Sequence, residues 1–314
     1  MDSSTNVTLS VIVPSFNAFN STARTVHALL NQQLPKCCKL EIIVVDDASI
    51  DRSAERLINE FGNRMKLIRH TQNLGRSAAR NAGARAATGQ WLLMLDCDCT
   101  PSSTNYLVRI MEGMDSNRIH IGEVRFDGCD FWSIYRRLGA SRRLQQHRKG
   151  NPEALSTANM LLDRHVFAQS GGYDEEYRRY GFEDRDLLLR LSDSGILIHY
   201  SGTACVIHSD PANLGSLMTK NLEAARYTAE KFRTRHPHAY NRLGYAQLDF
   251  TLHPVRSCLG AIVGCVLYPA AGLGDWILSR KSSSSYFRAA LARIFLASAY
   301  CRGSVMANVS LFRR

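Results

Sequence analysis

The chain has 314 residues, 45% of them hydrophobic and 21% charged, and carries a formal charge of +11. That balance excludes disordered and collagen-like chains and leaves one large globular domain, or a domain plus an appendage. In residues 255–314, eight basic side chains (Arg256, Arg280, Lys281, Arg288, Arg293, Arg302, Arg313, Arg314) face one acid, Asp275, so +7 of the charge lies there. A nucleic-acid binder spreads its charge over a folded face or a recognition element. A basic tail beside apolar sequence suits an anionic membrane surface instead, so no nucleic-acid partner is expected. The nine cysteines contain no Cys-x-x-Cys pair, which fits reduced thiols better than a disulfide framework or a zinc site. The opening MDSSTNVTLS lacks the charged and apolar regions of a secretory signal, so a cytoplasmic setting is expected.

The first half alternates short apolar runs with helical patterns. Strands are expected at 9–14, 40–45, 65–68 and 91–95, with helices at 22–33, 53–61 and 77–87 between and after them. Unbroken Val/Ile/Leu runs mark strands covered on both faces, and their alternation with helices predicts parallel βαβ units. Further on, a strand is expected at 119–124, a basic helix at 130–144, a mobile loop at 147–155 and a helix at 184–191. Short strands at 196–200 and 204–208 precede a long polar helix over 214–235. Composition changes near residue 250.

In a parallel sheet, ligands gather beyond the carboxyl ends of the strands. Three polar clusters stand there: Pro14-Ser15-Phe16-Asn17, then Asp46-Asp47-Ala48-Ser49 with Asp51 beyond, and Asp96-Cys97-Asp98. Asp51 alone reads as a helix N-cap. Two aspartates one residue apart repel each other unless a cation neutralises them. A hard divalent ion shared with substrate phosphate oxygens meets that need. Glu183 and Asp184 open a helix, where the dipole favours ionised acids, and Asp186 is placed to pair with Arg190 at i,i+4.

Ser10-Val-Ile-Val-Pro-Ser-Phe-Asn17, Val44-Val-Asp-Asp-Ala-Ser-Ile-Asp51, Asn73-Leu-Gly-Arg-Ser-Ala-Ala-Arg-Asn-Ala-Gly83 and Leu95-Asp-Cys-Asp98 occur in that order. Gly171-Gly-Tyr-Asp-Glu-Glu-Tyr177 and Gly181-Phe-Glu-Asp-Arg-Asp-Leu187 follow them. Together they resemble the family 2 glycosyltransferases over about residues 8–210. The resemblance implies an α/β GT-A fold, a Rossmann-like, mostly parallel sheet flanked by helices. It implies a metal-dependent, inverting transfer of sugar from a nucleoside diphosphate donor to a saccharide or lipid-linked acceptor, in cell-surface glycan synthesis. By the same resemblance Pro14, Ser15 and Asn17 line the nucleotide pocket, and Asp46 or Asp47 accepts a hydrogen bond from the base. Arg80 offers a planar fork to phosphate or ribose. Asp96 and Asp98, with His208 as a third ligand or diphosphate contact, hold Mn or Mg. Asp184, ahead of Glu183, is the expected general base toward the acceptor hydroxyl.

Two departures stand out. Cys97 and Cys99 flank Asp98, and a strand would turn Cys97 away from both aspartates, so both thiols are read as packing. No Gln-x-x-Arg-Trp follows the acidic motif, which favours single transfers over processive synthesis. A sugar nucleotidyltransferase would need a glycine-rich phosphate loop after the first strand, and Ser15-Phe-Asn-Ala-Phe-Asn20 has no glycine. A catalytically inactive GT-A scaffold is the other alternative, against which the joint presence of Asp96, Asp98 and Asp184 argues.

The expected division is a GT-A domain over 1–250 and an apolar, basic tail over 251–314. The domain comprises a nucleotide half to about 115, an acceptor half over 116–210 and a long helix at 212–236. Within the tail, 257–274 is an uncharged run of eighteen residues, the lower limit for a membrane span. One crossing would leave the basic residues on the wrong side. A re-entrant or interfacial hairpin on the cytoplasmic face of a membrane satisfies both features, with a helical hairpin packed on the domain as the alternative. Arg288 and Arg293 are expected to share a polar face, and the basic stretch 136–149 to lie near the acceptor entry.

Overall fold

The computed structural model describes residues 7–209, 211–280 and 285–311; Lys281, Arg313 and Arg314 of the basic tail lie outside them. The chain forms two compact units. The first comprises residues 1–127, 140–178 and 184–210, and the second 128–139, 179–183 and 211–314.

The first unit begins β1 (Val7–Ser15), α1 (Phe19–Leu30), β2 (Cys38–Asp46), α2 (Ser53–Phe61), β3 (Lys66–Arg69), α3 (Arg76–Ala86) and β4 (Trp91–Leu95). It continues with β5 (Cys99–Pro101), α4 (Tyr106–Met111), β6 (Arg118–Arg125), α5 (Phe131–Arg148), β7 (Asn159–Asp163), α6 (Arg164–Gln169), α7 (Glu183–Asp193) and β8 (Leu197–His208). The ends of α5 and α7 nearest the N-terminus count with the second unit. All eight strands form one mixed sheet in the order β3-β2-β1-β4-β7-β6-β8-β5. The expected parallel pairing holds for β3, β2, β1 and β4. β7 then reverses direction beside β4, so the sheet is parallel only through its first half. Core residues cover both faces, with Val11, Val13, Leu93 and Leu95 on one side and Ile12, Leu92 and Met94 on the other. That two-sided burial is why these runs are unbroken in sequence.

Register decides where the site forms. Ser15 pairs with Asp46, and Ile12 with Met94, so β1, β2 and β4 all release their chains at one edge. The order runs from β1 to β2 on one side and to β4 on the other, which makes this edge the topological switch point. α3 packs on β1 so closely that a Cβ on Gly83 would lie 2.4 Å from Ile12 Cγ2.

Several expected boundaries change. β8 is one strand of twelve residues where two were expected. It runs past Ser201-Gly202-Thr203 as a bulge of its own: the register jumps from Gly122–Ser201 to Glu123–Cys205, leaving residues 202–204 outside the ladder with β6. The loop expected over 147–155 begins later, since α5 continues to Arg148 and a 3-10 turn, Pro152–Ala154, follows.

The second unit is helical: α8 (Leu214–Glu223), α9 (Ala229–Arg235), α10 (Pro237–Arg242), α11 (Pro254–Leu267), α12 (Ala271–Ser279) and α13 (Ser285–Leu311). The long helix expected over 214–235 is present but carries a π turn, Ala224–Thr228, between α8 and α9. Asn213 caps α8 with a capping box completed by Ser216. Leu214, Met218, Leu278, Ala292, Phe295 and Ala299 form this unit's core around Trp132. Arg288 does not share a polar face with the exposed Arg293. It donates to Leu278 O and lies over the Phe131 ring.

The two kinds of helical glycine separate in a stability measurement. Gly83→Ala overpacks α3 on β1 and lowers the free energy of unfolding by about 1–3 kcal/mol. In α12, a Cβ on Gly272 meets no atom within 4 Å, so Gly272→Ala raises stability by up to about 1 kcal/mol through helix propensity. Urea unfolding midpoints of the two variants check the opposite signs.

Candidate active site

The loop after β1 is held by its own polar atoms. Asn17 takes a left-handed conformation (φ 49°). Its N–H donates to Ser49 Oγ at 2.8 Å, and its Oδ1 accepts from Ile50 N at 2.9 Å. The Ser15 and Thr22 hydroxyls are 2.8 Å apart, tying the strand end to α1. Pro14 is half-buried opposite Val45. These three residues therefore shape the end of β1 and the loop that leaves it.

The two aspartates after β2 divide their work. Asp47 spends both carboxylate oxygens on the next loop: Oδ1 accepts from Leu74 N at 2.9 Å, and Oδ2 from Gly75 N at 2.8 Å. His70 Nδ1 also lies 2.8 Å from Oδ1. This carboxylate builds the turn that starts α3. The turn demands glycine, because Gly75 has φ 90° and a Cβ there would lie 2.6 Å from Arg178 O. Asp46 is fully buried; Oδ2 accepts from Ser49 N at 3.2 Å and lies 3.5 Å from Arg69 Nε, while Oδ1 has no hydrogen-bond partner among the described residues. Asp51 bonds Ser53 at both its N and Oγ just ahead of α2, a local turn rather than a ligand.

Asp96-Cys97-Asp98 is a turn between β4 and β5, not the strand end that was expected to turn Cys97 away from both aspartates. Asp96 N donates to Ala158 O, Cys99 N to Asp96 O, Thr25 Oγ1 to Cys97 O, and Ser209 N to Asp98 O. Three separate segments and one bond within the turn thus pin these residues. The thiols still belong to the packing: Cys99 is in the core, and Cys97 lies against it. Burial pushes the Cys97 thiol up to about 12, helped by the charges of Asp98 and Asp96. Asp98 Oδ2 and His208 Nε2 stand 3.4 Å apart, each partly open to solvent.

Arg80, expected to offer its planar fork to phosphate or ribose, has a side chain only 2% exposed. Nη2 donates to Asp96 Oδ1 at 2.6 Å, and Nη1 lies 3.7 Å from Asp184 Oδ1. The guanidinium also sits 5.0 Å from the centre of the Tyr173 ring. Burial pushes the Asp96 carboxyl up, but the charges of Arg80 and Arg76 outweigh it and hold Asp96 below the ordinary carboxylate range.

Asp184, near the start of α7, accepts from Thr157 Oγ1 at 2.5 Å, Thr157 N at 3.2 Å and Ser156 Oγ at 3.2 Å. Tyr173 OH in turn donates to Thr157 Oγ1 at 2.7 Å. Ser156 and Thr157 carried no signal in the sequence, while Tyr173 lay inside the Gly-Gly-Tyr motif without an assigned part. Glu183 is buried, and its carboxylate accepts from Gly181 N at 3.0 Å, which turns it onto its own loop. Asp186 and Arg190 pair at 2.8 Å as expected. A cavity of about 710 Å³ opens beside the Gly171–Gly172 turn, lined by Asn81, Phe167 and Tyr173 among others, but none of Asp46, Asp96, Asp98 and Asp184 lines it.

Among the described residues, no three His, Cys, Asp or Glu side chains gather closely enough to hold a metal ion by themselves. Asp98 and His208 nevertheless offer one carboxylate and one imidazole converging on a partly open point, a donor set that suits Mn and accepts Mg. Their chemistry fits an ion whose remaining ligands come from water and phosphate.

An α/β fold with acids and a buried arginine at its switch point is a nucleotide-handling architecture. Residues 10–171 match glycosyl transferase family 2, just over half of the chain, and 140–204 match the N-terminal domain of galactosyltransferase. The chain belongs to glycosyl transferase family 2. It is 27% identical over 246 residues to N-acetylgalactosaminyltransferase 7 of Drosophila melanogaster, covering 67% of this chain but only 41% of that relative. Among solved structures it is similar to a mannosyltransferase of Pyrobaculum calidifontis in complex with GDP-Man and Mn2+. That match has a TM-score of 0.62 and 17% identity, and covers 96% of this chain and 88% of the other. GalNAc-T7 with UDP, GalNAc and Mn2+ matches at TM-score 0.51 and 18% identity, over 75% of this chain and 51% of that one. At such identities the two structures establish the fold, which is GT-A.

Removing the Arg80 charge takes away the buried partner of Asp96 and a cation beside Asp184, leaving Asp96 with the weaker field of Arg76. Arg80→Met is expected to cost about 3–5 kcal/mol, seen as a lower urea midpoint with an unchanged slope.

Proposed function

We propose that the protein transfers a single sugar from a nucleoside diphosphate donor to a hydroxyl of a saccharide or lipid-linked acceptor, with inversion at the anomeric carbon. The carrying observation is that one buried guanidinium, Arg80, pairs with Asp96 and approaches Asp184. It holds a donor-side acid and an acceptor-side acid in one frame. The family supports sugar transfer, and both solved neighbours were crystallised with nucleotides or nucleotide sugars.

In this reading the base lies beside Pro14, Ser15 and Asn17, and Asp46 Oδ1, buried without a hydrogen-bond partner among the described residues, accepts its N–H. Asp98 and His208, with Asp96 in the same turn, would hold a divalent cation for the diphosphate. When bound, that ion supplies positive charge that stabilises the departing nucleoside diphosphate. Asp184 takes the proton of the acceptor hydroxyl as its oxygen bonds the anomeric carbon and the bond from that carbon to the phosphate oxygen breaks. A single carboxylate acting from one side is a single displacement, which inverts the centre. The Tyr173–Thr157 chain fixes the orientation of Asp184.

Asp184→Asn removes the proton acceptor while keeping the hydrogen-bonding shape. The turnover number is expected to fall about 10²–10⁴-fold, with affinity for the nucleoside diphosphate unchanged, measured on a panel of UDP- and GDP-sugars. Because the protein's own ligand set is incomplete, Mn2+ and the diphosphate complete each other's sites. Calorimetric titration is expected to show Mn2+ binding at least about 10-fold tighter with UDP or GDP present, and the nucleotide tighter with Mn2+ by the same factor. Asp98→Ala abolishes both gains; equal affinities with and without the partner ligand remove the metal assignment.

A further inference from the structure

α11 is built inside out. A Cβ on Gly260 would lie 2.5 Å from Cys301 Sγ, and one on Gly264 2.8 Å from Ser298 O, so both glycines press against α13. Ser257, on the same side, is fully buried. The large apolar residues point the other way: Val255, Leu259, Ile262, Val263 and Val266 are between 44 and 74% exposed. Their spacing of i, i+4, i+7, i+8 and i+11 is one continuous face of a helix. A helix packed for water turns such a face into the core. Small residues at the packed face with large aliphatic residues outward is the arrangement of helices that meet lipid.

The face continues past the bend of 81° between α11 and α12. There Gly274 and Leu278 point inward, while Leu273 and Trp276 are exposed. The lone acid of the segment, Asp275, is drawn inside, accepting from Trp132 Nε1 at 2.9 Å and Leu214 N at 2.8 Å. No carboxylate remains on the apolar face. Basic groups stand at its two ends: Arg256 is exposed, and the Arg280 guanidinium lies 3.6 Å from the centre of the Trp276 ring system. Basic and indole groups at a rim are what a headgroup layer receives.

We propose that this face seats the protein on an anionic lipid bilayer, with α11 lying in the boundary between headgroups and acyl chains rather than crossing it. Among the described residues no single helix is long and apolar enough to cross. The fourteen residues of α11 span about 21 Å, short of the roughly 30 Å hydrocarbon layer. A second copy of the chain fits the face less well. A two-fold contact sets the same patch against itself, bringing basic rims together with no acid to meet them. The inference is independent of the sugar-transfer reading, and its test needs no turnover.

Flotation of the full chain with vesicles of phosphatidylglycerol, or of phosphatidylcholine alone, tests it. The protein is expected to float with the anionic vesicles and at least about 10-fold less with the neutral ones. Ile262→Glu with Val266→Glu is expected to lower anionic-vesicle binding by at least about 10-fold. Both sites are exposed, so the thermal midpoint without vesicles stays unchanged and separates lost binding from lost folding. Trp276 is the exposed one of three tryptophans, and its emission is expected to move to the blue on anionic vesicles only. Equal flotation of the native chain and the double variant, or equal binding to both lipids, overturns the proposal. So does a dimer in solution that the double variant converts to monomer.

Discussion

The site depends on a cation that never reaches solvent. Arg80 lies buried in α3 between Asp96, at the end of β4, and Asp184, at the start of α7. Without it, two carboxylates from distant parts of the chain would repel across a partly buried gap. With it, the turn after β4 and the start of α7 are held in one geometry before any ligand arrives. Such preorganised charge is the largest lever a transferase has, because it needs no rearrangement when charge develops on the leaving group.

Packing beneath Arg80 serves the same end. The close seat of Gly83 on Ile12 brings α3 down onto β1, and Gly75, fixed by Asp47, sets where the helix begins. One turn in, Arg80 is aimed at the strand ends. Asp47 is thus structural, while its neighbour Asp46 keeps an oxygen in reserve. Adjacent, chemically identical residues acquire different tasks because the backbone turns between them.

The parallel half of the fold was legible because strands covered on both faces must be apolar throughout, as LSVIVP and LEIIVV are. The antiparallel half was less so. β7 is five residues long, and β5 only three, ending in Pro101; such short segments carry no period. β8 looked broken at Ser201-Gly202-Thr203 because polar residues are tolerated where a strand is solvated. The site residues were visible as types at the right places, but their partners were not. That Arg80 pairs with Asp96, and that Asp47 uses both oxygens on the loop before α3, are facts of register and burial. Ser156 and Thr157 support Asp184 from 27 and 28 residues away in sequence, a distance over which no local pattern operates.

The central claim is that the diphosphate and its cation lie against Asp98 and His208 while Arg80 stays between the acids. A crystal structure with Mn2+ and a nucleoside diphosphate, collected at the manganese absorption edge, tests this most directly. The account predicts an anomalous peak within coordination distance of Asp98 and His208, shared with the diphosphate, and an unmoved Arg80 still bonded to Asp96. A peak elsewhere, or Arg80 swung out to grip the phosphates with Asp96 and Asp184 released, would contradict it.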